Sequence, residues 1–151
     1  KEFLMKKIIR GRLYDTDTAK RLGGRDAYSG TFEAVEETLY RKRNGEFFLH
    51  GRGGPASAYR RYINHNEWAG GDDIRPMSYD CAREWAERYL SADEYIKIFG
   101  PVPDDGSLEF VTLRVRRDIM AKIRRYSSAS GRTISDIVQS LLERIDSVSE
   151  S

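Results

Sequence analysis

Cysteine is all but absent from this chain: Cys81 is the only one among 151 residues. A disulfide framework within one chain is excluded by that count, and a cysteine-built zinc site with it. The setting that fits is reducing and cytoplasmic. Cys81 itself falls in "YDCAREWAERYL", an amphipathic pattern, and reads as a packing residue. Histidine is nearly as scarce, with His50 and His65 alone. That is too little for a recognisable metal set, although Asp72 and Asp73 stand near enough in the chain to be considered with them. Long apolar runs are missing too. Nothing approaches the roughly 18 residues a bilayer span needs, so no membrane partner is expected. The opening "KEFLMKKIIRG" has neither a long apolar stretch nor a small-residue cleavage site, so it does not read as a secretory signal. Met5 ahead of "KKIIRG" reads as a natural start. No motif calls for a cofactor, and none marks an enzyme. "GRGGP" at 51–55 lacks the Lys-Ser/Thr of a phosphate loop and reads as a turn.

What is present is charge. It makes up 33% of residues, against 39% apolar, with a net charge of only +2. The balance is local rather than uniform. Residues 1–107 carry 18 basic and 18 acidic side chains, whereas residues 114–125 hold Arg114, Arg116, Arg117, Lys122, Arg124 and Arg125 against Asp118 alone. Such a cluster is an electrostatic footprint for a polyanion.

"GPVPDDGS" at 100–107 leaves no room for a regular element and divides the chain. The expected organisation is an N-terminal α+β domain at 5–99, a linker at 100–107 and a module at 108–148. In the N-terminal part, "KKIIRGRLY" reads as one strand. "DTDTAKRLG" reads as a short helix stopped at Gly23 or Gly24. "TFEAVEETLYRKRNGEFFLHGRGG" reads as a hairpin, with Asn44-Gly45 supplying two positive-φ turn positions. Ser78 caps a helix with apolar positions at Tyr79, Ala82, Trp85, Ala86, Tyr89 and Leu90. Ser91 and Glu94 form a capping box for another helix. The aromatics Tyr40, Phe47, Phe48, Tyr59, Tyr62, Trp68, Tyr79, Trp85, Tyr89, Tyr95 and Phe99 read mostly as core. "YRRYINHNEWAGG" mixes aromatic and basic residues in a way compatible with single-strand or RNA contact.

In "FVTLRVRR", Val111, Leu113 and Val115 fall on one face of a strand and Thr112, Arg114 and Arg116 on the other. So short a strand is not stable alone. Its simplest partner is the same strand of a second copy, antiparallel about a two-fold axis. A ribbon of that kind fits the major groove of B-DNA, where Arg binds guanine and Thr reaches base edges. A helix follows from about Arg117 to Ser128, with Ile119, Met120, Ile123 and Tyr126 at helical spacing. Gly131 closes it in a left-handed turn. A second helix starts at Thr133, with Asp136 three residues on and an apolar face of Ile134, Ile137, Val138, Leu141, Leu142 and Ile145. Its free N–H groups suit a DNA phosphate, and Arg132 lies beside them.

Residues 110–146 resemble a ribbon-helix-helix domain of the Arc/MetJ/CopG type. The resemblance rests on the "TLRV" strand, "DIMAKIRRYSSASGRT" and "ISDIVQSLLERI". It implies an intertwined homodimer whose core includes Val111, Leu113, Val115, Ile137 and Leu141. Thr112, Arg114 and Arg116 would face bases of double-stranded DNA. Arg132 and the amides of Thr133, Ile134 and Ser135 would hold a phosphate. The other readings of the same residues are an exposed basic strand in an ordinary α+β core, and a module kept only for dimerisation.

The pieces "KKIIRGRLYDTDTAK", "ETLYRKRNGEFFLHGRGGP" and "PMSYDCAREWAERYLSADEYIKIFG" are similar to a small domain of Firmicutes plasmids, phages and integrative elements. Some members of that group are anti-CRISPR proteins. The resemblance implies a mobile-element regulator of its own expression, or an inhibitor of a Cas9-type effector acting on the protein or its guide RNA. It carries no catalytic residue with it. An antitoxin-like regulator is a further alternative, set back by the order of the parts, because only a few residues follow the DNA-binding motif. An RNA nuclease using His50 with Glu36 or Glu37 across the hairpin is the enzymatic alternative.

Overall fold

Antiparallel pairing, between chain neighbours except for β5 with β8, builds the β structure in the computed structural model, which describes residues 4–109, 111 and 113–145. In chain order the strands are β1 (Lys6–Ile9), β2 (Arg12–Asp15), β3 (Lys20–Ala27), β4 (Val35–Arg41), β5 (Phe47–Gly53), β6 (Arg61–Asn64), β7 (Glu67–Ala69) and β8 (Gly71–Met77). The helices are α1 (Tyr79–Tyr89), α2 (Ala92–Phe99), α3 (Arg117–Ser130) and α4 (Ile134–Leu142). The mixture is α+β, as the sequence suggests. The chain divides into two compact units, Lys1–Thr112 and Leu113–Ser151. Among the described residues no helix is long and apolar enough to cross a membrane.

The first unit is built on a four-stranded sheet of order β3-β4-β5-β8. Its centre is the β4–β5 hairpin. The connection is a three-residue loop: Gly45 N–H donates to Lys42 O at 2.9 Å and Lys42 N–H to Glu46 O at 2.8 Å. Gly45 has φ 91°, while Asn44 keeps an ordinary negative φ and accepts from Glu46 N–H through Oδ1. The turn is therefore a type I turn closed by a left-handed glycine. The expectation of two positive-φ positions is corrected accordingly.

Alternation along β4 and β5 sorts the core onto two faces. Leu39, Phe47 and Leu49 meet Ala82, Trp85 and Ala86 of α1 and Ile98 and Phe99 of α2. Tyr40, Phe48 and Ile74 form a second cluster with Tyr14, against which Met5, Ile9 and Ala19 pack. Each such buried aliphatic or aromatic side chain contributes about 1.5–3 kcal/mol. Both helix starts are as read from the sequence. Ser78 Oγ accepts from Cys81 N–H, and Ser91 and Glu94 complete a reciprocal capping box. Cys81 lies on the exposed side of α1, so its reading as a packing residue is corrected.

Two further readings change. "KKIIRGRLY" is not one strand but the β1–β2 hairpin, turning at Arg10 (φ 50°) and Gly11 (φ 74°). "DTDTAKRLG" is not a helix. Asp15 Oδ1 accepts from Asp17 N–H at 2.9 Å, and Asp15 O accepts from Ala19 N–H at 3.1 Å, making a tight turn that leads into β3. Short polar side chains that bond their own backbone compete with helix. Gly23 and Gly24 lie inside β3, beside a register shift, with Gly23 under the methyls of Leu90 and Gly24 against Arg21 and the Glu37 carbonyl.

Candidate nucleic-acid interface

The second unit is a helical hairpin. α3 starts at Arg116 without a side-chain cap and ends at Gly131 in the left-handed region (φ 70°), as expected for a glycine at that place. Ser127 Oγ donates to Arg132 O at 2.7 Å and ties the turn shut. Thr133 caps α4, its Oγ1 accepting from Asp136 N–H at 3.1 Å. The amides of Ile134 and Ser135 fall at the first two helical positions, where no intrahelical acceptor exists.

The basic side chains are spread over the surface of this unit. Arg114 and Arg116 are exposed, and Arg116 reaches Asp118 at 2.8 Å in a pair that is itself open to solvent. Arg117, Lys122, Arg124 and Arg125 on α3 are exposed as well. Arg132 immediately precedes the Thr133 cap of α4. Its guanidinium lies along the helix, donating to Asp136 O at 3.2 Å and Ser140 Oγ at 2.5 Å. Thr112 lies outside the described residues. Val111 and Leu113–Arg116 form no ladder within one chain.

The apolar side chains are more telling. Ile137 is the one buried apolar residue among the described residues of α3 and α4, at 6% exposure. Leu113, Val115, Ile134, Leu141, Leu142 and Ile145 are all exposed, Leu113 by 61% and Leu141 by 51%. The face read as a core in the sequence is therefore open in a single chain.

In the first unit the buried polar centre is Glu37. Arg25 Nε donates to its Oε2 at 2.7 Å, Trp85 Nε1 to the same oxygen at 3.1 Å, and the Tyr59 hydroxyl to Oε1 at 2.6 Å. Burial pushes the carboxyl up, but the hydrogen bonds from Tyr59, Trp85 and Arg25 outweigh it and leave Glu37 below its ordinary range. Burial first, then the Glu37 carboxylate, push the Tyr59 hydroxyl well up. Arg25 also stacks on Tyr89, 3.9 Å from the ring centre. With its carboxylate held by three donors across β3, α1 and the segment before β6, Glu37 is a fastener between elements. Sequence reading missed it, although a signal existed. The turn register that sets Arg41 opposite Phe47 also sets Glu37 opposite Gly51, the residue over which Tyr59 packs.

The same alternation separates His50 from Glu37 but leaves Glu36 on the His50 face. His50 is registered with Thr38, on the face opposite Glu37. Glu36 pairs with Arg52 at 3.3 Å. His50 is buried, and its Nε2 makes no hydrogen bond, with Asp72 Oδ2 nearest at 3.6 Å. His65 sits in the β6–β7 turn, and Asp73 pairs with Lys7. Among the described residues no three His, Cys, Asp or Glu side chains converge. "GRGGP" is only partly the expected turn: Gly51–Gly53 end β5, and the chain turns from Gly54 on.

No protein-family model, no curated protein and no solved structure matches this chain.

Proposed function

We propose that the chain is a homodimeric ribbon-helix-helix DNA-binding protein, a regulator of its own expression on a bacterial mobile element, with the first unit as its effector part. The observation that carries the reading is the open apolar face of the second unit. A 39-residue unit, Leu113–Ser151, that buries Ile137 and leaves Leu113, Val115, Leu141 and Leu142 in water lacks the core a domain of this size needs. A second copy supplies it. Pairing of residues 111–115 across a two-fold axis would satisfy the strand edges and cover the Val/Leu face. The opposite face, with Arg114 and Arg116, would then be presented as a two-stranded ribbon of major-groove width. The Arg116–Asp118 pair does not oppose this, since an exposed pair is worth about 0–1 kcal/mol.

The test is binding of the full chain to duplex DNA from upstream of its own gene, at two salt concentrations. Sequence-selective binding should weaken by about 1–3 kcal/mol for each of Arg114→Ala and Arg116→Ala. Selective binding that survives the double substitution would refute the base-reading role. Weak binding, equal on any duplex and lost with added salt, would leave the module as a dimerisation device.

A further inference from the structure

The β6–β7 hairpin belongs to no other sheet, and every residue of β6 is exposed. What it exposes is unusual for a solvated hairpin. Tyr62 and Trp68 are directly opposed in register, so they share one face. Their rings meet edge-on with centres 5.5 Å apart, and they remain 59% and 45% exposed. Arg60 lies over the Trp68 ring at 4.5 Å. At the foot of the hairpin is a cavity of about 490 Å³, whose charged lining is Lys7, Arg60, Arg61 and Arg75 against Asp72 and Asp73. Asp73 is taken up by Lys7. Arg75 is held over the Tyr59 ring and donates to Ala58 O at 3.1 Å. Arg60 and Arg61 have no ion-pair partner among the described residues. Two guanidinium groups without a carboxylate partner, Arg60 stacked on Trp68 and Arg61 free of ring contacts among the same residues, therefore stand beside two exposed, register-locked aromatic rings.

We infer that this hairpin is a binding site for single-stranded nucleic acid. Base faces stack on Tyr62 and Trp68, and the phosphate backbone passes Arg60 and Arg61 at the cavity mouth. The chemistry selects the strand state. An aromatic ring gains most from a base whose π-face is free, and in a duplex those faces are already stacked. A protein partner would also cover exposed aromatics, but it gives no reason for the cationic cavity beside them. The site lies in the first unit and is independent of the ribbon reading, which concerns duplex DNA and the second unit.

The test uses the full chain and a fluorescein-labelled single-stranded RNA of about 12 nucleotides, within the usual span of one single-strand site. Anisotropy gives affinity. Tryptophan emission reports the contact, because Trp68 is exposed whereas Trp85 is buried and bound to Glu37. Saturable binding with quenched Trp68 emission is expected, weakened at least about tenfold in Tyr62→Ala, the scale of one lost base stack. Arg61→Glu, at an exposed side chain that holds no partner in the fold, should weaken it comparably and make the loss with added salt shallower, because one phosphate contact fewer releases fewer counterions. Arg114→Ala/Arg116→Ala should leave it unchanged. No saturable binding at near-physiological salt would overturn the proposal. So would equal affinity in the wild type and Arg61→Glu, which would place any nucleic-acid contact elsewhere.

Discussion

Glu37 joins three parts of the first unit through one carboxylate. The residue is 8% exposed, and its carboxylate accepts from Arg25, Tyr59 and Trp85. A carboxylate buried so deeply would be costly if unpaired, and removing one side of a buried charged pair typically costs about 3–5 kcal/mol. Glu37→Gln keeps the shape but removes the charge and turns an N–H₂ toward one of the donors. It should lower unfolding stability by about 3 kcal/mol at pH 7, read by urea denaturation. The pH dependence follows from the direction of the shift. The folded carboxyl titrates below its ordinary 4.5, so its stabilisation is full above 4.5 and is lost as pH falls through the lower folded value. The gap between wild type and Glu37→Gln should therefore be widest near neutrality and close progressively below pH 4.5. A gap that stayed constant in acid would mean that packing, not charge, separates the two.

At the scale of elements, the most legible signals were those that carry their own geometry. Ser78, Ser91 with Glu94, Thr133 with Asp136, and Gly131 mark helix ends because a side-chain oxygen or a left-handed glycine satisfies groups that the helix leaves free. The β4–β5 hairpin was legible for the same reason. "DTDTAKRLG" misled because Asp15, which suits a helix start, instead folds the next residues into a turn through its side chain and carbonyl. The glycines after Gly51 were read as loop because their role is tertiary and leaves no local mark. A Cβ at Gly51 would stand 1.8 Å from the Tyr59 ring. In an ordinary strand position Ala for Gly would gain about 0.5–1 kcal/mol. Here Gly51→Ala must push Tyr59 off Glu37, and it should destabilise by about 1–3 kcal/mol, the usual range for an overfilled core. Thermal unfolding decides the sign, and a raised midpoint would show that Tyr59 yields at no cost. Of the candidate sites, the capped start of α4 and the exposed arginines were legible. The turn of the exposed Arg132 along α4 onto Ser140 and the stacking of Arg60 on Trp68 were not, because both depend on side-chain directions that spacing does not reveal.

At the scale of the whole molecule, the sequence places its apolar pattern on a face that one chain leaves open. Val111, Leu113, Val115, Leu141, Leu142 and Ile145 alternate or recur as a buried face should, yet each is exposed. The proposed dimer resolves the conflict, and it makes association measurable apart from DNA. Light scattering at micromolar concentration should give twice the 17.4 kDa chain mass. Leu113→Asp would set a carboxylate into the apolar side of the ribbon, and a two-fold interface carries that change twice. The lost burial alone is about 1.5–3 kcal/mol per copy. Together the two copies amount to a dissociation constant raised by at least about a hundredfold. The variant should run as a monomer and lose duplex binding, while the urea transition of the first unit, followed through the buried Trp85, stays in place. A wild-type chain that is monomeric at those concentrations would remove the dimer. A Leu113→Asp chain that remained dimeric would move the contact to the exposed Leu141 and Leu142 of α4, a helix interface with no ribbon between the copies.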